Sequence, residues 1–211
     1  MTSNRAQDVL VLQGGGALGS YQAGVYEALS QAGTEPQWLA GISIGAINAA
    51  IIAGNAPDKR LERLQDFWTS VTSGWSFGAH NTTDTFRAFL GDASIGWAMA
   101  AGVPGFFSPR AVSPLFMSGG GAEALSFYDS GPLKATLERL IDFDRINARE
   151  TRLSVGAVNI RTGNFAYFDN AHQRIGPEHI MASGALPPGL PPVEIDGEWY
   201  WDGGLVSNTP L

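Results

Sequence analysis

The sequence has no cysteine. Disulfide frameworks and thiolate metal sites are therefore excluded, although the lack of thiols does not fix the compartment. Charge is also scarce. Only 16% of the 211 residues are Asp, Glu, Lys or Arg, and the balance is acidic, at −7. Phosphate backbones need a basic surface, so nucleic acid is excluded as a partner. The same balance offers no basic patch to anionic lipid surfaces. Long apolar runs are missing too. The start, "MTSNRAQDVLVLQGGG", has none before its glycines and does not resemble a secretory signal. The most apolar later stretch, "WAMAAGVPGFFSPRAVSPLF", is broken by prolines and Arg110, which argues against a spanning helix. The expectation is a cytoplasmic protein without a transmembrane segment.

What is present points to a globular chain. It is 44% hydrophobic, enough for one sizeable core, and its 27 Gly and 12 Pro imply many turns. "DVLVLQ" (8–13) is a short apolar, β-branched run, as expected of a buried strand. "GGG" follows. The next segment, "ALGSYQAGVYEALSQAG", places Leu18, Tyr21, Val25 and Leu29 at helical spacing and ends at Gly33. "PQWLAGI" suggests a second buried strand. After Ser43, "IGAINAAIIAG" is apolar on every side, so a helix there must lie in the core. This βαβα start predicts a parallel sheet with helices on its faces.

"PDKRLERLQDFWTSV" has the amphipathic pattern of a helix, with Leu61, Leu64, Phe67, Trp68 and Val71 on one side. Residues 74–128 change character. They are rich in Gly, Pro and aromatics (Trp75, Phe77, Phe86, Phe89, Trp97, Phe106, Phe107, Phe116, Phe127) and look like an insertion of short helices and loops. Those aromatics form either a satellite core or an apolar substrate channel. "DSGPLKATLERLIDF" returns to a helix with Pro in its first turn. "RLSVGAVNI" and "NFAYFD" form a hairpin around "RTG", and "GPEHIMAS" is a short helix. "VEI" and "EWYW" form a second hairpin around Asp-Gly. That hairpin leads to "DGG" at 202–204. No closing element follows. The chain is thus expected to be a single domain, 1–211, that is C-terminally incomplete.

Two short motifs carry the chemistry. In "GISIG" (41–45), Ser43 lies between Gly41 and Gly45, the spacing of a strand-to-helix elbow that projects a hydroxyl. Gly14, Gly16 and Gly19 match G-x-G-x-x-G, which raises dinucleotide binding. The acidic residue that should close the second strand is missing there, since Glu35 precedes it. No Gly-Lys-Ser/Thr follows, which excludes a P-loop. The other use of the turn is anion stabilisation. Glycine amides at a helix start are unshielded and suit the oxyanion of ester cleavage. In a parallel βαβ unit both turns lie at the carboxyl edge of the sheet, where such folds bind ligands.

A serine needs a proton acceptor. His80, His172 and His179 are the histidines, and none follows Asp202. A triad combining Asp142, Asp144 or Asp169 with His172 or His179 stays formally open, as in α/β-hydrolases. Asp202 in "WYWDGG" is the other candidate, beside the reading of an ordinary Asp-Gly turn.

The set "GGGALG", "GISIGA", "ASGALPPGLPPVEIDG" and "DGG", in that order, resembles the patatin-like phospholipase family over roughly residues 8–210, apart from the insertion. The resemblance implies a three-layer α/β/α sandwich with a central, mostly parallel sheet. It implies a lipid acyl hydrolase of phospholipase A, lysophospholipase or lipase type, active in lipid degradation through a Ser-Asp dyad and an acyl-enzyme. By the same resemblance Ser43 is the nucleophile and Asp202 takes or orients its proton. The amides of Gly14, Gly15 and Gly16 form the oxyanion hole, and Gly41 and Gly45 shape the elbow. No cofactor or metal is required. A lipid or ester substrate, with transient contact at a membrane surface, is the implied partner. Burial among Trp199, Tyr200 and Trp201 would raise the Asp202 pKa and make it a better base. The sequence departs from the family pattern at Leu18, where the glycine motif usually carries a basic residue. That bears on phosphate recognition more than on ester cleavage. A non-catalytic module of the same fold and a dinucleotide-binding protein are the alternatives.

Overall fold

The computed structural model describes residues 7–73, 99–116 and 121–210. Eight strands are present among the described residues: β1 (Val9–Leu12), β2 (Trp38–Ile42), β3 (Ser108–Pro109), β4 (Tyr128–Asp129), β5 (Arg152–Asn159), β6 (Phe165–Asp169), β7 (Val193–Ile195) and β8 (Glu198–Asp202). Six form the central sheet, while β3 and β4 make a separate short ribbon. The helices are α1 (Gly19–Gln31), α2 (Ile44–Ala53), α3 (Arg60–Thr72), α4 (Gly131–Leu140), α5 (Phe143–Asn147) and α6 (Pro177–Ser183).

The predicted βαβα start is observed. β1 pairs parallel with β2, and β2 parallel with β5. β6 and β8 run antiparallel to β5, and β7 antiparallel to β8. Four of the six strands (β1, β2, β5 and β7) therefore point the same way. The sheet is mixed but mostly parallel, with helices packed on it, consistent with a three-layer α/β/α arrangement.

β5 is the spine of the sheet. β2 and β6 both flank Ser154–Gly156, so they occupy opposite edges. Beyond that point the Ile160 amide donates to the Trp199 carbonyl on β8, whereas Asn159 donates across the β6 hairpin to Asn164. β8 thus lies on the same edge as β2. Ile42 pairs with Gly156, and Asp202 pairs with the next residue, Ala157. The two strands run toward each other along one edge of β5 and meet at their carboxyl ends.

The core follows the hydrophobic pattern. Every residue of α2 is buried, as its all-round apolar sequence requires. Ile47, Ile51 and Ile52 each contribute about 1.5–3 kcal/mol by leaving water. α3 turns Leu64, Phe67 and Val71 inward. The two expected hairpins form, with Gly163 at positive φ in the first and Asp196-Gly197 at φ 52° and 80° in the second, as a two-residue turn demands.

The apolar spacing read over α1 does not mark its buried face. Leu18 and Tyr21 are 76% and 77% exposed, so they do not face the core from α1; Tyr26 does, fully buried. The reason is close approach. α1 meets α2 and α3 through Gly19, where a Cβ would lie 2.5 Å from the Ile44 side chain and 2.9 Å from the Trp68 ring. Contact through a glycine turns the helix away from its leucine-like stripe. The Tyr26 hydroxyl is satisfied by Glu35 at 2.8 Å, and Glu35 also pairs with Arg60 at 2.6 Å. Burial pushes the Tyr26 phenol up to about 12. In the insertion, Phe106 packs against the core and Phe107 against Tyr128, but Phe116 and Phe127 are exposed. Trp75, Phe77, Phe86, Phe89 and Trp97 lie outside the described residues. Among the described residues no helix is long and apolar enough to cross a membrane.

Candidate active site

Ser43 is the single residue between β2 and α2, at φ 55° and ψ −127°. A side-chain-bearing residue reaches that region only at a cost of about 1–3 kcal/mol, and the surroundings must hold it there. They do so through backbone packing. A Cβ on Gly41 would lie 2.5 Å from the Gly45 carbonyl oxygen, and one on Gly45 would lie 2.1 Å from the Leu12 carbonyl oxygen. Both flanking glycines are therefore steric requirements of the bend.

The carboxyl group of Asp202 is brought to Ser43 by the meeting of β2 and β8. Asp202 is 3% exposed. Burial raises its pKa above the ordinary carboxylate value, and hydrogen bonds from the Gly204 amide and the Ser43 side chain partly offset that rise. The Gly204 N–H donates to Asp202 Oδ1 at 2.7 Å. The expected aromatic surround is only partly responsible. Strand alternation puts Tyr200 on the face of Asp202 but Trp199 and Trp201 on the other. The residue after Asp202 is packed tightly against β5 and β2. A Cβ on Gly203 would lie 2.6 Å from the Gly156 carbonyl oxygen and 3.2 Å from Ile42.

The glycine turn completes the grouping. A Cβ on Gly14 would lie 3.1 Å from Ser43 Cβ, so the turn passes directly beside the elbow. Gly15 and Gly16 are exposed. Among the described residues nothing accepts from the amides of Gly14, Gly15 or Gly16. The turn is tethered at each end. Asn48 Nδ2 donates to the Gly19 carbonyl at 2.9 Å and to Gln22 Oε1 at 3.0 Å. Gln22 Nε2 in turn donates to the Gln13 carbonyl at 2.7 Å. Asn208 Nδ2 donates to the Gly14 carbonyl at 3.2 Å. α2 begins directly after Ser43, so the positive end of its dipole lies at the elbow.

Sequence reasoning missed the supports. Ser183, Asn48, Gln22 and Asn208 carry no motif of their own. Ser183 lies inside "ASGALPP", so only the family pattern hinted at it.

The other candidate acids and bases are engaged elsewhere. Asp142 caps α5 through the Arg145 amide, Asp144 pairs with Arg174, and Asp169 pairs with Arg152 and Ser154. His172 is exposed at the β6 end. His179 is buried, accepts from the Gly176 amide at Nδ1 and stacks edge-on against Phe168. His80 lies outside the described residues. Glu35 is held in the Arg60 ion pair. Among the described residues no group of three or more His, Asp or Glu side chains could hold a metal ion.

No Lys or Arg occurs in residues 7–58 or 175–211, the stretches that carry the glycine turn, the elbow, Ser183 and Asp202.

Comparison with known proteins agrees with this architecture. The crystal structure of VipD from Legionella pneumophila is similar in fold, with a TM-score of 0.56 at 17% identity. The match covers 98% of this chain and 47% of that one, so the chain spans about half of its structural neighbour. No curated protein sequence matches significantly. The family profile described as patatin-like phospholipase matches residues 10–211. The strained elbow, the glycine turn beside it and the mixed sheet beneath them accord with that match, and the chain belongs to the patatin-like phospholipase family.

Proposed function

We propose that this chain is a serine-dependent carboxylic ester hydrolase acting on lipid esters through Ser43 and Asp202. The observation that carries the reading is the buried Asp202 carboxyl beside the side chain of a serine on a strained elbow, next to three glycine amides that have no acceptor among the described residues.

Ser43 Oγ attacks the ester carbonyl carbon while Asp202 takes its proton. The tetrahedral oxyanion is held by amides of Gly14, Gly15 and Gly16, with the α2 dipole behind them. A preorganised donor of this kind contributes roughly 3–4 kcal/mol. The intermediate collapses, the C–O bond to the alcohol breaks, and the alkoxide receives the proton from Asp202. An acyl-Ser43 remains. Water then attacks the acyl carbon, giving its proton to Asp202. Ser43 Oγ leaves and is reprotonated by Asp202. The raised pKa makes Asp202 a stronger base than an exposed aspartate, which is what a dyad without histidine needs.

The test is intact-mass analysis after a fluorophosphonate probe, with Ser43→Ala in parallel. The expected result is one adduct on the wild type and none on the variant, followed by hydrolysis of acyl esters by the wild type alone. A folded wild type that forms no adduct would overturn the reading in favour of a non-catalytic module of the same fold.

A further inference from the structure

Ser43 and Asp202 are held by neighbouring residues of one segment. The Ser43 amide donates to two acceptors on Ser183, the carbonyl at 3.1 Å and Oγ at 3.0 Å. Two residues on, the Ala185 carbonyl accepts from the Asp202 amide at 3.0 Å. The Ser183 hydroxyl spends its own proton on the Gly156 carbonyl, at 2.7 Å. Gly156 is the β5 residue in register with Ile42, and its carbonyl lies against Gly203. One hydroxyl therefore touches the elbow from above and its supporting strand from below. It lies at the point where β2 and β8 meet.

The chemistry of these bonds is specific. The bend at Ser43 directs its amide away from α2, where no helical acceptor is available. The Ser183 carbonyl, at the C-terminal end of α6, also lacks a helical donor. Pairing them satisfies both and fixes the peptide plane from which Ser43 Oγ projects. The hydroxyl supplies the second acceptor and ties that plane to β5. Ser183 is fully buried, so water cannot replace the hydroxyl without rearrangement.

Building on the Ser43–Asp202 reading above, we infer that Ser183 is a positioning residue for the dyad: its hydroxyl locks the Ser43 peptide and sets where the nucleophile stands relative to Asp202. It touches no reacting atom, so its loss should reduce the chemical step and leave substrate binding alone. Misplacing a reacting group by about 1 Å can cost up to about a hundredfold in rate.

The experiment compares Ser183→Ala with wild type in kcat, KM and second-order labelling by a fluorophosphonate. The expected result is a fall in kcat of about ten- to a hundredfold, an equal fall in labelling rate, and KM within about twofold. Ser183→Cys, which keeps a weak donor and acceptor of similar size, should recover part of both rates. Ser126→Ala is the control. Ser126 is another fully buried serine, bonded to Arg110 and the Tyr128 carbonyl in the insertion. It should lose comparable thermal stability yet label like the wild type. Two outcomes would overturn the inference while leaving the proposed activity intact: Ser183→Ala reacting within twofold of wild type, or both variants losing activity only in proportion to unfolded protein. A wild type that neither labels at Ser43 nor turns over an ester would remove the parent reading, and the inference with it.

Discussion

Gly45 lies so close to Leu12 that a Cβ on it would sit 2.1 Å from the Leu12 carbonyl oxygen. The first turn of α2 and the end of β1 are in backbone contact, and neither can yield as a side chain would. Gly45→Ala should therefore cost about 3 kcal/mol or more through overpacking. Gly14→Ala should behave differently. Its Cβ would meet the movable Asn208 side chain at 2.5 Å and Ser43 Cβ at 3.1 Å. We expect a stability loss under about 1 kcal/mol but at least a tenfold drop in fluorophosphonate labelling. Denaturant melts and labelling rates on both variants check the contrast. Equal stability losses would contradict it.

The elbow stores strain that a glycine would release. Ser43→Ala keeps a Cβ at φ 55° and should match wild-type stability, while Ser43→Gly should exceed both by about 1 kcal/mol. Both should be inactive. Equal melting temperatures for the alanine and glycine variants would show that the bend is unstrained.

Asp202 links activity to stability through pH. Burial raises its folded-state pKa, so the native state holds this proton more tightly than the unfolded chain. Its contribution is full below the unfolded value of about 3.9 and is lost as pH rises through the raised folded value. Asp202→Asn should therefore melt above the wild type at neutral pH, and that advantage should shrink as pH falls toward about 4. His179, whose pKa is lowered by burial, works in the opposite sense: its contribution is present above about 6.5 and is lost below it. It is common to both proteins and cancels in the difference. Thermal melts from pH 4 to 8 decide the matter, and a pH-independent difference would refute the linkage. The acid limb of wild-type activity should likewise fall above the ordinary carboxylate range, and Asp202→Asn should lose about 10²–10⁴-fold in rate.

Leu18 is the exposed residue at the glycine turn where the family pattern usually has a cation. No Lys or Arg occurs in residues 7–58, the stretch that carries both the turn and Ser43. Leu18→Arg should raise kcat/KM for an anionic lysophospholipid relative to a monoacylglycerol of the same chain by about fivefold, or ~1 kcal/mol, at low ionic strength. High salt should erase the gain. An unchanged ratio would mean that position 18 does not face the head group.

Local patterns carried much of the architecture. The β-branched run before the glycines, the all-apolar helix after Ser43 and the Asp-Gly hairpin each encode their structure within a few residues. The face of α1 did not show, because the helix is approached through Gly19, where a Cβ would not fit against Ile44 and Trp68. The site was legible as separate pieces. Glycines at 41 and 45 mark an elbow because only they fit. What joins Ser43 to Asp202 was hidden. It depends on β2 and β8 sharing one edge of β5, and on Ser183 and Ala185 reaching across to both amides. No spacing in the sequence measures such contacts.

The head-to-head meeting of β2 and β8 also dictates when the proposed catalyst comes into being. The elbow precedes β5 in the sequence, and its βαβα neighbourhood can form early from nearby segments. The proposed proton acceptor lies on β8, which can dock only after β5 is in place. During synthesis the serine must wait, as an ordinary alcohol, until β8 has emerged more than 150 residues after β1 began the sheet. On the proposed mechanism, a nascent chain lacking β8 would carry the elbow without its partner.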